Sequence, residues 1–404
     1  MTNVIQRVCA GAGAVFLLLL MVSSLRLFVA DVLSRGSSVQ SREAAVKLIP
    51  GNVSYIMSLA DLHRQQDADV RADLARATRA DPDNYRLYIQ LGLEYERVGD
   101  YRSASACLRE AARLSQEFLA PWTLANYYFR RRDTTQFLFW IRRALDAGPL
   151  DPTAVFHLLW QSGASPSAID AAIPRTPQIL IPYLAWLMSQ NHPDLARPIA
   201  ATILSHFPAD GHDLLLSYCG LLAAGNESQR LEAVELWNAL CARGLLQEKP
   251  VFPARPPNVV DARFRDLQAR LAFGWQQLTD QVQVSRVDRG LVLSFDGNQP
   301  EQCGIFAQLI SIQPARRYAF DCSYESDLPA DNGVSWRIED ARNNAPLQSG
   351  DVFLDGDAHE VSVPFTAPEN CRFVRLILQY ARQPGTVRVS GSVLLTNVDL
   401  KPSS

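Results

Sequence analysis

Three kinds of apolar pattern follow one another along this chain of 404 residues. An uncharged apolar run from Val8 to Leu25 comes first, helical spacing of apolar residues follows, and alternation of apolar and polar residues fills the last third. Because these periods belong to different secondary structures, they predict a multi-domain α plus β protein. The predicted parts are an anchor segment, a helical repeat domain, a Pro-rich linker and an antiparallel β-sandwich, at 1–37, 38–248, 249–258 and 259–404.

The first part has the length of a membrane-spanning helix. The run from Val8 to Leu25 is near the lower limit for crossing a bilayer, and Arg26 can snorkel so that Leu27 to Ala30 extend the span. A cleaved signal peptide is the alternative, but Phe28 stands where its cleavage site needs a small residue. We therefore favour an uncleaved anchor, which makes the membrane the first predicted partner.

The orientation of this anchor is decided by two opposed signals. Cations are more numerous after the apolar run than before it, which favours a cytoplasmic bulk. The segment nevertheless has the layout of a secretory n-region and h-region, and the sequence contains no second apolar run of that length. We expect a single-pass protein of the inner, cytoplasmic membrane with its bulk in the periplasm.

Internal periodicity dominates the second part. One stretch places small and large apolar residues at fixed offsets, namely Tyr88, Leu91, Gly92, Tyr95, Gly99, Tyr101, Ala104, Leu108 and Ala111. Small residues suit the close crossing of two helices, and Gly99 with Asp100 suits the turn between them. With flanking stretches at a period of about 34 residues, residues 50 to 150 resemble the tetratricopeptide repeat family.

This resemblance implies an α-solenoid with a groove that docks a protein or peptide partner. The candidate residues for such a groove are Tyr88, Tyr95, Tyr127, Tyr128 and the arginines 130 to 132. The alternative is that the tyrosines fill the hairpin core and that the arginines form a solvated helix end. Beyond residue 150 we expect irregular hairpins, with longer helices at 195–207, 213–224 and 228–242.

Apolar and polar residues alternate along the third part. Runs such as Leu291 to Phe295, Tyr318 to Tyr324 and Val374 to Tyr380 are separated by turn signals, including Asp331-Asn332-Gly333. They predict eight to ten short strands in a jelly roll. The order of these runs, with Gly274-Trp275 before them and Asn397 to Leu400 at the close, resembles carbohydrate-binding modules of galactose-binding-like architecture.

That resemblance implies a glycan site, in which aromatic rings stack on the apolar face of a sugar. The candidate residues are Trp275, Tyr324, Trp336 and Tyr380, with Arg337 and Gln379 as hydrogen-bonding neighbours. The alternative places the aromatic residues in the core of the sandwich.

Other activities have little support in the sequence. A net charge of −3 gives no case for nucleic acid. No Walker A loop, HExxH, GxSxG or dinucleotide fingerprint occurs, so we predict no enzyme, cofactor or metal site. A polysaccharide hydrolase that uses Glu339, Asp340 or Glu369 is the least favoured alternative. Cys322 and Cys371 are predicted either to be free thiols or to pair in an oxidising compartment.

Together these patterns predict a membrane-anchored, non-catalytic scaffold. Its helical repeats would dock a protein and its sandwich would bind glycan, in exopolysaccharide or cell-envelope assembly. A purely structural interaction protein, whose sandwich binds no sugar, is the main alternative.

Overall fold

The computed structural model describes residues 2–265 and 272–403, with side chains described from residue 15 onward except at 193 and 194. Within these residues, fourteen helices precede ten strands. The helices are α1 Thr2–Ser34, α2 Val39–Leu48, α3 Val53–Gln65, α4 Arg71–Ala80, α5 Tyr85–Arg97, α6 Tyr101–Leu114, α7 Leu119–Arg130, α8 Thr134–Asp146, α9 Thr153–Gln161, α10 Pro166–Ala172, α11 Pro177–Ser189, α12 Pro193–His206, α13 His212–Ala224 and α14 Glu227–Ala242.

The strands follow after the Pro-rich stretch. They are β1 Gln276–Gln277, β2 Gln283–Val287, β3 Gly290–Asp296, β4 Gln302–Ser311, β5 Arg317–Ser326, β6 Val334–Asp340, β7 Ala345–Ser349, β8 Gly356–Thr366, β9 Phe373–Ala381 and β10 Ser390–Pro402. The predicted fold class, helical repeats followed by an antiparallel β-sandwich, is therefore confirmed.

The chain divides into two compact units inside α11. The first unit is Met1–Tyr183 and the second is Leu184–Ser404. The helices α12 to α14 thus belong to the same unit as the strands, whereas the sequence placed them with the solenoid. The domains predicted from the sequence and the two compact units therefore divide the chain at different residues.

The helical hairpin α5–α6 shows why the repeat spacing folds as it does. Leu91, Ala104, Leu108 and Ala111 are buried between the two helices. A Cβ on Gly92 would lie 2.7 Å from Leu108 Cγ, so only glycine allows the helices to cross this closely. Gly99 takes the left-handed conformation, with φ of 84°, that the predicted turn requires.

The beginning of α6 is capped as its sequence predicts. The Asp100 carboxylate accepts a hydrogen bond of 3.1 Å from the backbone N–H of Ser103. The hydrogen bonds from Ser103 lower the pKa of Asp100 below its ordinary range. The same kind of cap begins α8, where Asp133 accepts from Gln136 N at 3.0 Å. Successive hairpins therefore begin their second helices with the same local chemistry.

Two five-stranded sheets form the sandwich. Sheet A has the order β1-β4-β9-β6-β7, and sheet B has the order β2-β3-β10-β5-β8. Every neighbouring pair is antiparallel, and the chain crosses between the sheets at most connections, as in a jelly roll. The two inner faces form one apolar core, which includes Trp275, Phe320, Trp336 and Tyr380.

The predicted linker at 249–258 is bound to the helix that precedes it. The Trp237 indole donates to Lys249 O at 3.1 Å, and Asn238 exchanges two hydrogen bonds with the backbone of Val251. The ring of Trp237 also packs edge-on against Phe273, with centroids 5.5 Å apart. This stretch is therefore not a free connector, because side chains of α14 satisfy its backbone polar groups.

Candidate functional site

A cleft lies at the turn between α7 and α8. Its volume is about 450 Å³. The end of α9 closes it through Gln161 and Ser162, and the α7–α8 side provides Phe129, Arg132 and Phe137. The rings of Phe129 and Phe137 lie 5.5 Å apart, and Phe137 is buried. The cleft therefore combines an aromatic wall with a charged rim, which suits a peptide segment.

The three consecutive arginines at this turn have different environments. Arg130 forms a bidentate pair with Glu96 of α5, at 2.7 and 2.8 Å, and the hydrogen bond to Glu96 raises the pKa of Arg130. The Arg131 guanidinium lies 3.7 Å from the centroid of the Tyr101 ring. For Arg132, in contrast, the described residues provide no ion-pair partner. Arg132 therefore presents a cation at the rim of the cleft, beside Asp133, whose carboxylate also lines the cleft and caps α8.

The predicted groove tyrosines are mostly structural. Tyr127 and Tyr128 are buried. The Tyr127 hydroxyl donates to Tyr101 O at 2.9 Å, and the Tyr128 hydroxyl accepts from Arg109. Tyr95 is partly buried against the cluster that contains Leu91. The core alternative therefore holds for these tyrosines, and of them only Tyr128 borders the cleft.

The predicted aromatic glycan residues are buried in the sandwich. Trp275, Tyr324, Trp336 and Tyr380 are all at most 4% exposed. Trp336 packs between Phe320 and Trp275, with ring centroids 4.9 and 5.8 Å away. A buried ring offers no face to a sugar, so the prediction of a stacking site at these four residues is wrong. Their physical role is to fill the core.

Arg337 and Gln379 are in a different position. Arg337 follows the buried Trp336 in β6, and Gln379 precedes the buried Tyr380 in β9. Because neighbouring side chains in a strand point to opposite faces, Arg337 and Gln379 lie on the outer face of sheet A. Ser335 is paired across the strands with Gln379, and Glu339 lies two residues beyond Arg337. Arg337 Nη2 contacts Glu339 Oε1 at 2.7 Å, while the Arg337 Nε is buried with no hydrogen-bond partner among the described residues.

The second unit itself covers part of this outer face. A Cβ on Gly304 would lie 2.7 Å from Leu278 Cδ1, which shows that Leu278 lies over β4, next to the edge of the sheet. At one end, Arg230 of α14 donates to Ala341 O at 2.7 Å. Burial lowers the pKa of Arg230, so this contact holds a partly desolvated cation. The outer face of sheet A is thus used, at least at these points, for packing within the unit.

Two of the carboxylates proposed for hydrolysis, Glu339 and Asp340, do not converge on one site. Glu339 and Asp340 are adjacent in β6, so their side chains point to opposite sides of the sheet. Each is buried and pairs with an arginine, Glu339 with Arg337 and Asp340 with Arg342. Glycoside hydrolysis needs two carboxyl groups on either side of one bond, which this arrangement does not supply.

The six cysteines with described side chains are free thiols. Cys322 and Cys371 are buried, so the alternative that they pair is not realised in the structure. Burial raises the pKa of both thiols to about 12. Such thiols are inert as nucleophiles at neutral pH.

A second cleft, of about 340 Å³, lies on sheet B. Its polar lining comes from Ser323 and Glu325 of β5, His359 and Glu360 of β8, and Thr396 of β10. Thr396 sits in a bulge of β10 and donates to Ser323 O at 3.0 Å. Of the residues predicted to bind glycan, Tyr324 also lines this cleft. Sequence reasoning missed the other lining residues, because a bulge depends on how strands pair and leaves no clear pattern in one strand.

Comparisons with known proteins agree with the class of protein defined by this fold, a helical repeat domain joined to a jelly roll. No family model matches the chain, and no curated protein matches it. The similar solved structures include tetratricopeptide repeat proteins and a carbohydrate-binding module, the two classes predicted from the sequence.

Three of these structures show the level of similarity in sequence identity, TM-score and coverage. A structure titled for the function of the carbohydrate-binding module CBM4 is 15% identical, with a TM-score of 0.28, and covers 35% of this chain and 96% of its own. The PilF protein of Pseudomonas aeruginosa is 15% identical, with a TM-score of 0.29 and coverages of 46% and 94%. YrrB, a TPR protein with an unusual peptide-binding site, is 12% identical, with a TM-score of 0.27 and coverages of 43% and 95%. At these values the likenesses carry no argument about function.

Proposed function

We propose that this protein is a membrane-anchored, non-catalytic scaffold whose helical repeats dock an acidic segment of a partner protein. The cleft at the α7–α8 turn carries the proposal. Its wall of Phe129 and Phe137 can bury an apolar side chain. Arg132 on its rim, which has no ion-pair partner among the described residues, favours a negatively charged neighbour. The anchor is α1, which contains an apolar stretch long enough to cross a membrane, Val15–Ser34.

Peptide arrays on the full chain in detergent test the docking cleft. The probes are synthetic peptides that carry one aromatic residue among acidic residues, compared with the same peptides with lysines in place of the acids. We expect the acidic set to bind. Arg132→Glu should weaken that binding about 5- to 30-fold, because an attraction of about 1 kcal/mol becomes a comparable repulsion.

The matched control is Arg113→Glu. Arg113 is an exposed arginine on α6 that pairs with Glu110 and does not line the cleft. Equal losses in the two variants would assign the effect to overall charge. Equal binding of the acidic and basic peptides would contradict the proposal.

A second candidate function is glycan binding on the outer face of sheet A. The observation that favours it is the Arg337 Nε, a buried donor with no partner among the described residues, next to Ser335 and Gln379. The Arg337 side chain as a whole is 39% exposed, so a small rotation of the guanidinium would let a sugar hydroxyl accept from Nε at the surface. Its site would use hydrogen bonds, since the aromatic residues once expected there are in the core.

A glycan array with the full chain tests this candidate. We expect Arg337→Ala to reduce any binding about tenfold, the effect of losing one hydrogen bond to a charged group. Arg388→Ala, at an exposed loop position, is the control. An array without any bound glycan would leave the purely structural interaction protein, in which sheet A serves only for packing.

We further propose that the bulk of the chain lies in the periplasm and acts in envelope or exopolysaccharide assembly. The layout of the N-terminal segment supports this placement. Protease treatment of intact spheroplasts tests it. Digestion of the repeats and the sandwich is expected, and protection of both would reverse the orientation and remove the envelope role.

A further inference from the structure

The last part of α1 is built into the first helical unit. Ala30 has no exposed surface and packs in one cluster with Ala45 and Val46 of α2 and Ile56 of α3. Ser34, at the end of α1, is also buried. The apolar segment is therefore not attached to the repeats by a free linker, because its final turns form part of their core.

Hydrogen bonds complete the end of α1. The last four carbonyls of a helix lack partners within it. The Ser41 hydroxyl donates to Leu33 O at 2.8 Å, and the Ser58 hydroxyl donates to Ser34 O at 2.9 Å. Two side chains of the repeats thus satisfy groups that otherwise would need water.

These contacts show that α1 and α2 form an antiparallel hairpin. Leu33 lies opposite Ser41, and Arg26 lies opposite Leu48, whose carbonyl accepts from Arg26 Nη2 at 2.6 Å. Moving back along α1 from Leu33 to Arg26 therefore corresponds to moving forward along α2 by the same number of residues, as in an antiparallel pair. The end of α2 therefore lies beside Arg26, at the point where the apolar segment begins.

The preceding part of α1 has no such cover. Side chains from Val15 to Phe28 are exposed, and the large apolar ones among them are 48 to 70% exposed. The uncharged run from Val8 to Leu25 spans about 27 Å at 1.5 Å per residue, which suits the bilayer core. One helix therefore has two environments, and the change falls between Arg26 and Ala30.

From this division we infer that α1 is retained in the mature protein as the first helix of the repeat unit, and that the lipid-covered part ends near Arg26. A leader cleaved after Ala30 would remove Ala30 from this buried cluster and leave its partners in α2 and α3 uncovered. Since α2 returns to Arg26, the α2–α3 turn and the neighbouring Lys47 lie at the membrane surface, and the repeats are held directly against the bilayer. This inference rests on the proposed anchoring function.

Retention is tested on the full chain with an epitope at each end. We expect one membrane-bound species that carries both epitopes and resists carbonate extraction. A mature protein that begins after residue 26 would overturn the inference. A protein that keeps both epitopes but stays out of membranes would instead overturn the anchoring function, so the two failures are distinguishable.

The placement of Lys47 is tested against Lys401, and these are two of the three lysines that the sequence contains. In nanodiscs that hold a phospholipid with an amine-reactive headgroup, we expect Lys47 to be modified in excess of its reaction with a water-soluble reagent. Lys401, an exposed lysine in the second unit, is the reference. Peptide mass spectrometry reads both sites. The same ratio at Lys47 and Lys401 would contradict the placement.

The packing of α1 is tested by two matched substitutions. Ala30→Leu adds three carbons inside the cluster, and we expect the melting temperature of the full chain in detergent to fall by about 2 to 12 °C. Val32→Leu adds one carbon at a position that is 55% exposed and should change it by less than about 2 °C. Equal melting temperatures for the two variants would contradict the packing of α1 against the repeats.

Discussion

Replacing Trp336 by alanine tests whether its ring belongs to the core or to a ligand site. The Trp336 side chain has no exposed surface. It contacts Phe320 in an edge-to-face arrangement, with centroids 4.9 Å apart, and Trp275 at 5.8 Å. A fully buried tryptophan that is cut to alanine loses its transfer free energy and leaves a cavity, which together cost about 3–5 kcal/mol.

That cost can be converted into a melting temperature. For a compact unit of 150 to 250 residues, about 1 kcal/mol corresponds to a shift of about 2–4 °C. We therefore expect Trp336→Ala to lower the transition of the second unit by about 6 to 20 °C, measured by calorimetry on the full chain in detergent. Val387→Ala, at a side chain that is 87% exposed, should change it by less than about 2 °C.

The outcome also decides the ligand question. A loss of stability without any change in glycan binding fits a core residue. If Trp336→Ala has the same melting temperature as Val387→Ala but loses glycan binding, the ring contacts a ligand and the packing argument fails. Trp336→Phe keeps an aromatic ring in the core, so a smaller shift than that of alanine would attribute the loss to the cavity.

Three further predictions concern packing and ionisation. Gly92→Ala should destabilise the first unit by about 1 kcal/mol or more, since the clash with Leu108 exceeds the gain in helix propensity, while Gly51→Ala, with open space around it, should be neutral in the same melts. Cys322 and Cys371 should react with a thiol reagent only after denaturation, and fast reaction in the native protein would show that they are accessible. The pKa of about 12 of these two thiols also predicts that their contribution to stability is constant below about pH 8.5 and falls between there and pH 12, because the unfolded chain releases protons that the folded chain keeps.

The fold could be predicted because its pattern is local. In α5 and α6, small and large apolar residues recur at helical spacing, and the structure places Leu91, Ala104 and Leu108 between the two helices as that spacing requires. The later helices and the main strands also lie where the sequence predicts them, within a few residues. Periodicity determines which face is buried, and burial determines the element.

The site could not be predicted from the same pattern. Tryptophan and tyrosine suit both a sugar face and an apolar core, so residue type alone does not separate the two. Alternation does separate them. Trp336 and Arg337 are adjacent in β6, and Gln379 and Tyr380 are adjacent in β9, so each pair has one residue inside and one outside. A site that contains both members of either pair was excluded by the strand geometry.

For the Pro-rich stretch, composition predicted the absence of a helix correctly but did not predict which side chains contact the stretch. The helix α14 ends at a C-terminal cap in which Gly244 is left-handed, with φ of 69°, and the prolines from Pro250 onward, which lack an N–H donor, do not favour a new helix there. The backbone that follows still has polar groups to satisfy, and Trp237 and Asn238 provide the partners at Lys249 and Val251. Whether such a stretch is a tether or part of a packed unit is therefore determined by the side chains of the helix before it. In this protein that helix carries a buried indole and an amide with both a donor and an acceptor, which bind the stretch to the unit that contains the sandwich.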